Sequence, residues 1–134
     1  MSIKRERTKQ NYVQDDSCLA AEDLTALNLC MVRATGAAAN SNMTVSAPTG
    51  QGALVYAVLL NAPDEGEIAQ LGESGIQEVR ANEAFNSGVE LTVSGTNGRV
   101  EAAASDDFVC GTAREASGGS GHCISMTVKH YYKP

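Results

Sequence analysis

The chain has 134 residues and a formal net charge of −6, with ten Lys and Arg against sixteen Asp and Glu. That length allows one domain with its own core, and no apolar run approaches the roughly 18 residues a membrane-spanning helix requires. With no Trp, two Phe and four Tyr, Ala, Val and Leu must fill most of the interior, while thirteen Gly suit many turns between short strands better than long helices.

Residues 1–17 read as an extended, basic N-terminal arm without a core of its own. Lys4, Arg5, Arg7 and Lys9 stand against Glu6 in the first nine residues, a net of +3 that leaves −9 for the rest. Ile3, Tyr12 and Val13 are its only large apolar groups. No apolar stretch follows the basic start, so it does not read as a secretory signal. The expectation is a soluble protein made in a cytoplasm, with residues 18–134 forming a single β-barrel-like domain.

The segment "AAEDLTALNL" (residues 20–29) is expected to be one helical turn or a loop. "LNLCMVRAT" (27–35) is a strand candidate ended by the turn-prone "GAAANSN" (36–42). "MTVSA" (43–47) alternates and stops at Pro48. "ALVYAVLL" (53–60) is a continuous apolar run, expected as a strand covered on both faces. "EIAQLGESGIQEV" (67–79) holds two strand-like pieces around "GESG". Asn86-Ser87-Gly88 marks a turn before the strand at 89–93. Asn97-Gly98 is a strong hairpin signal and predicts a type I′ turn with both residues at positive φ. "SDD" (105–107) is a tight bend in which Asp accepts backbone hydrogen bonds, and it leads into the strand of "FVCGTA" (108–113). "SGGSG" (117–121) is a turn. In the last strand Ile124, Met126 and Val128 face one way, and Ser125, Thr127 and Lys129 the other. Eight or nine short strands, with turns every 8 to 12 residues, predict an all-β barrel or sandwich.

Catalytic material is sparse. His122 and His130 fall on one face of an ideal strand but about 26 Å apart, too far to share a metal or relay a proton. Cys18, Cys30, Cys110 and Cys123 contain no C-x-x-C pair and are expected as reduced, mostly buried thiols. The spacing leaves open a bridge formed after lysis, for instance Cys110 to Cys123. No nucleophile elbow, P-loop or dinucleotide fingerprint is present, so no enzyme, cofactor or metal is predicted. The arm's four cations would give a salt slope of only about −3.6 on DNA. An acidic body without interleaved aromatics opposes nucleic-acid binding. The arm reads instead as lying on an acidic protein surface or threading between subunits, and the C-terminal "KHYYKP" suits an interface. Tyr131 and Tyr132 offer large contact area at low entropic cost; packing of one of them on the barrel end is the simpler alternative.

From residue 66 to 128 the chain carries six cues in order: "EGEIAQL", "GIQEV", "FNSGVEL", "NGRVEAAA", "SDDFVCGTAREA" and "SGGSGHCISMTV". In this it resembles the small β-barrel capsid decoration, or cement, proteins of tailed bacteriophages. Two turns depart from the family's Gly-Asp pattern, at Ser105-Asp106-Asp107 and at Gly88-Val89, and the first 50 residues match less well. The resemblance implies a structural virion protein on the outer surface of an assembled capsid, cementing adjoining major capsid protein subunits. It also implies a homo-oligomer, with a trimer favoured. A trimer would convert weak contacts per chain into tight binding through effective concentration. Lys4, Arg5, Arg7, Lys9, Tyr12, Tyr131 and Tyr132 are the expected capsid-binding residues, with no nucleic-acid or membrane partner. The alternatives are a β-rich receptor- or glycan-binding module and another virion component such as a tail or adaptor protein.

Overall fold

The computed structural model describes residues 18–35 and 43–134. The basic arm and the turn expected at 36–42 lie outside the described residues. Ten strands and no helix are present among those described, so the all-β reading holds. They are β1 (Cys18–Ala20), β2 (Met31–Thr35), β3 (Met43–Ser46), β4 (Ala57–Leu59) and β5 (Leu71–Gly72), then β6 (Ile76–Arg80), β7 (Glu90–Val93), β8 (Val100–Ala102), β9 (Phe108–Ala113) and β10 (Cys123–Tyr132). They form two five-stranded sheets, ordered β1-β3-β2-β4-β5 and β6-β10-β9-β7-β8.

Each sheet returns on itself. In the first, β1 runs parallel to β3 on one side. On its other side Leu19 bridges to Ile68, with Ala20 N donating to Glu67 O and Ala69 N to Cys18 O, at 2.9 and 3.0 Å. The stretch 66–69 runs on into β5, which pairs with β4, so the hydrogen-bonded circuit closes. In the second, Ala81, just past β6, bridges in parallel to Val100 of β8, and Asn82 N donates to Val100 O at 2.7 Å. Closure removes most of the unpaired strand edges that otherwise invite non-specific pairing.

The side chains sort accordingly. Cys18, Ala20, Leu24, Val32, Val45, Ala57, Leu59, Ala69 and Leu71 fill the first ring. Val79, Leu91, Val93, Val100, Cys110, Ile124 and Met126 dominate the second, and Met31, Val55 and Val58 join that cluster from the first. Each large aliphatic side chain so buried contributes roughly 1.5–3 kcal/mol. The shared cluster makes the two rings one packed body.

The junction is also tied through the backbone. Leu29, at φ 62°, donates to Leu59 O at 2.7 Å and accepts from Arg80 N at 2.9 Å. A branched side chain in the left-handed region is uncommon, and here bonds to both rings hold it there. Met31 N donates to Gly98 O at 2.8 Å. A Cβ at Gly98 would stand 2.5 Å from the Met31 carbonyl oxygen, so only glycine fits this seam.

Four sequence expectations need correction. Only residues 57–59 of the run 53–60 form a strand; all three are buried, but Leu54 is 58% exposed. The hairpin at Asn97-Gly98 exists, but the turn is not type I′, because Gly98 alone of the pair has positive φ. The loop is longer. Ser94 N donates to Arg99 O, and Asn97 Oδ1 accepts from Arg99 N and Ser94 Oγ, so the Asn works through its side chain. Cys18 and Leu19, assigned to no element in the sequence, and Ala20, expected in a helical turn or loop, form β1. Last, the alternation along β10 holds through Val128, after which a bulge shifts the register before Tyr131. That bulge voids the parity that placed His122 and His130 on one face.

Candidate functional site

The four described cysteines are free thiols, with Cys18, Cys30 and Cys110 buried. Burial pushes the Cys110 thiol up to about 12. It raises that of Cys30 as well, against the pull of Arg80 and Arg99. Such thiols are poor nucleophiles at neutral pH. A bridge from Cys110 to Cys123 does not fit the fold. Gly111 pairs with Val128, which puts Cys110 more than about 15 Å along β10 from Cys123, beyond disulfide reach. No group of three or more His, Cys, Asp or Glu among the described residues is arranged to hold a metal. No helix among them is long and apolar enough to cross a membrane.

His122 is an exposed turn residue whose Nδ1 accepts from Gly118 N at 3.2 Å. The acidic bend is structural, as its sequence suggests. Buried Asp107 accepts from Ala104 N at 2.8 Å and from Gln51 Nε2 at 3.1 Å. Asp106 takes φ 73°.

The C-terminal strand ends as a strap over this bend. Asp106 N donates to Lys133 O and Lys133 N to Asp107 O, at 2.7 and 2.9 Å. The Tyr132 hydroxyl donates to Asp106 Oδ1 at 2.7 Å, and its ring meets Phe108 edge-on at 5.2 Å between centroids. The Tyr131 hydroxyl donates to Glu90, which also pairs with Lys133 Nζ at 2.9 Å. These two partners hold the Glu90 carboxyl below its ordinary value, and the Tyr131 phenol is pushed up to about 12 by the same bond. Both tyrosines are therefore fixed by their own chain while leaving 36% and 48% of their surface to solvent. The structure brings Tyr131 and Tyr132 together at one end of the second ring. The other expected binding residues, Lys4, Arg5, Arg7, Lys9 and Tyr12, lie outside the described residues.

A second feature was missed by sequence reasoning. Arg33 and Ala34 of β2, the loop residues Thr49, Leu54, Val55 and Tyr56, Glu73 after β5 and His130 of β10 line a concavity of about 480 Å³. Its walls are mostly apolar, with a few polar groups at fixed points, the usual make-up of a ligand pocket. Arg33 Nε donates to Ala47 O at 2.9 Å. The Tyr56 hydroxyl donates to a Glu73 carboxylate oxygen at 2.5 Å. Desolvation lowers the pKa of His130, partly offset by a hydrogen bond to the Tyr56 backbone. The eight lining residues come from separate segments, so no motif announces them; the one local signal was a leucine inside an apolar run that a three-residue strand could not cover.

Neither a family model nor a curated protein matches the sequence. Among solved structures, the fold is similar to that of the N base of the head fiber protein gp8.5 of bacteriophage phi29. The TM-score is 0.67 and the identity 14%, over 84% of this chain and 90% of that one. At that identity the likeness shows a common fold and nothing finer.

Proposed function

We propose that this chain is a structural, non-enzymatic component of a tailed-bacteriophage virion, which binds the outer surface of the assembled capsid and holds adjoining major capsid protein subunits together. The observation that carries the reading is the fold shared with a phage head fiber base. The ordered cues between residues 66 and 128 support it, because they point to phage capsid proteins on independent grounds. In this reading residues 18–134 form one domain and residues 1–17 an arm. Lys4, Arg5, Arg7, Lys9, Tyr12, Tyr131 and Tyr132 meet the capsid. The active species is a homo-oligomer, a trimer by preference, made in the host cytoplasm. Two closed rings suit the role: they offer rigid loops and a tied-down strap in place of open sheet edges.

The likeness itself favours a second reading, in which the chain is a base that seats an appendage on the phage head. Sedimentation of the purified chain with mature shells lacking it tests the first. Saturable co-sedimentation that also raises the shell's resistance to heat supports cementing. Saturable binding with no gain in shell stability moves the assignment to an appendage base. No binding to competent shells overturns both. A chain lacking residues 1–12, run in parallel, asks whether the arm carries the contact; binding that survives the deletion moves it to the domain and its C-terminal tyrosines.

A further inference from the structure

The pocket at the seam of the two rings has no part in the readings above, and its chemistry is specific. Arg33 uses Nε on the Ala47 carbonyl, and the only ion pair among the described residues is that of Lys133 with Glu90. The two terminal nitrogens of Arg33 thus have no acceptor among the described residues. Glu73 accepts from Tyr56 with one oxygen; its other oxygen has no donor among them. Ala34, Val55, Tyr56 and Leu54 line the same concavity, the last of them 58% exposed.

Those facts constrain what can fill the space. A purely apolar occupant would strip water from Arg33 and leave its charge unpaired, which costs more than the apolar contact returns. A carboxylate removes that cost, because the planar fork of Arg33 matches it in a bidentate geometry. A fatty acid would satisfy Arg33 and the apolar wall but leave the second carboxylate oxygen of Glu73 desolvated without a donor. A peptide brings all three elements in one molecule: a carboxylate, an apolar side chain and a backbone N–H.

We propose that this pocket binds an acidic, apolar segment of a protein partner, with a carboxylate on Arg33, an aliphatic or aromatic side chain against Leu54 and Val55, and a backbone N–H on Glu73. The site does not depend on a virion role and stands or falls separately from it.

The test is a titration of the full-length, isotope-labelled chain with N-acetyl-leucine, followed by amide chemical shifts. N-acetyl-leucinamide, which lacks the charge, and hexanoate, which lacks the N–H, are the comparison ligands. Saturable shifts confined to the pocket lining are expected for N-acetyl-leucine, with Kd on the order of a few millimolar for so small a ligand. Both comparison ligands should bind at least fivefold more weakly. Arg33→Gln should weaken N-acetyl-leucine at least fivefold. Leu54→Ser, at an exposed position where folding is not at stake, should weaken it about threefold. Arg114→Gln, away from the pocket, should leave it unchanged. Equal binding of all three ligands, tighter binding of hexanoate, or no saturable shift at the pocket would each overturn the proposal. So would an Arg33→Gln chain that keeps the native spectrum elsewhere and binds as well as the parent.

Discussion

The two rings are built to different specifications. The first uses strands of two to five residues, and its circuit is closed by three residues, Cys18–Ala20, that come from the far end of its sequence. The second is organised around the ten residues of β10, which pair with both β6 and β9, and its closing contact, Ala81 on Val100, follows directly from β6. A ring that depends on one short inserted strand concentrates its closure at a point. A ring laid along a single long strand distributes it over many bonds. The first is therefore the more sensitive to local damage, although the shared cluster of Met31, Val55 and Val58 obliges both to unfold together.

The heaviest blow to that contrast is Ala20→Asp. Ala20 is 2% exposed inside the first ring, and a carboxylate there has no partner and no room. A loss of roughly 3–5 kcal/mol is expected, read as a fall in the urea midpoint. An unchanged midpoint would mean that β1 is dispensable and the first ring is an open sheet. Next is a matched pair of cavities, Leu59→Ala in the first ring and Leu91→Ala in the second, each expected to cost about 2–5 kcal/mol. Their value lies in the shape of the transition. A single shifted transition in both variants is expected from the common core. Two transitions, only one of which moves in each variant, would mean that the rings are separate folding units. Gly98→Ala tests the seam itself. It adds backbone strain at φ 71° and a Cβ 2.5 Å from the Met31 carbonyl, and about 1–3 kcal/mol is expected.

The same contrast explains what could be read from the residues alone. β10 was legible because its alternation runs from Ile124 to Lys129, long enough to outweigh chance. β1 was not: three residues carry no period, and its partners lie at 43–45 and 67–69, remote in the chain. Turn positions were visible through Gly and Asn. The turn at Asn97-Gly98 was mistyped because the Asn side chain, not its backbone, does the bending. The tyrosines at the C-terminus were visible as a pair. Their anchors were not, since Glu90 and Asp106 lie 41 and 26 residues away. The pocket was invisible for the same reason: Arg33, Glu73 and His130 meet only once both rings have closed.

The smallest effect concerns the strap, where the second ring's long strand ends on groups that titrate. Tyr131 is pushed up to about 12 by its bond to Glu90, and Glu90 is held below its ordinary value by Tyr131 and Lys133. The sign follows from linkage: a carboxyl with a depressed folded value stabilises the fold above its unfolded value. That contribution fades as pH falls through the folded one. Because the pair is solvent-exposed, its effect on global stability should be slight, and the phenol is the better reporter. In Glu90→Gln the acceptor loses its charge, and the Tyr131 midpoint should return toward the ordinary value of 10. An ultraviolet titration of the tyrosinates would then show one fewer high-pH component, while Tyr132, bonded to Asp106, stays raised. If no tyrosine midpoint moves, the strap is not docked on Glu90 in solution. The C-terminal residues would then have to be redrawn as a free end, and the contrast with the first ring, whose first strand Cys18–Ala20 is built into its closure, would sharpen.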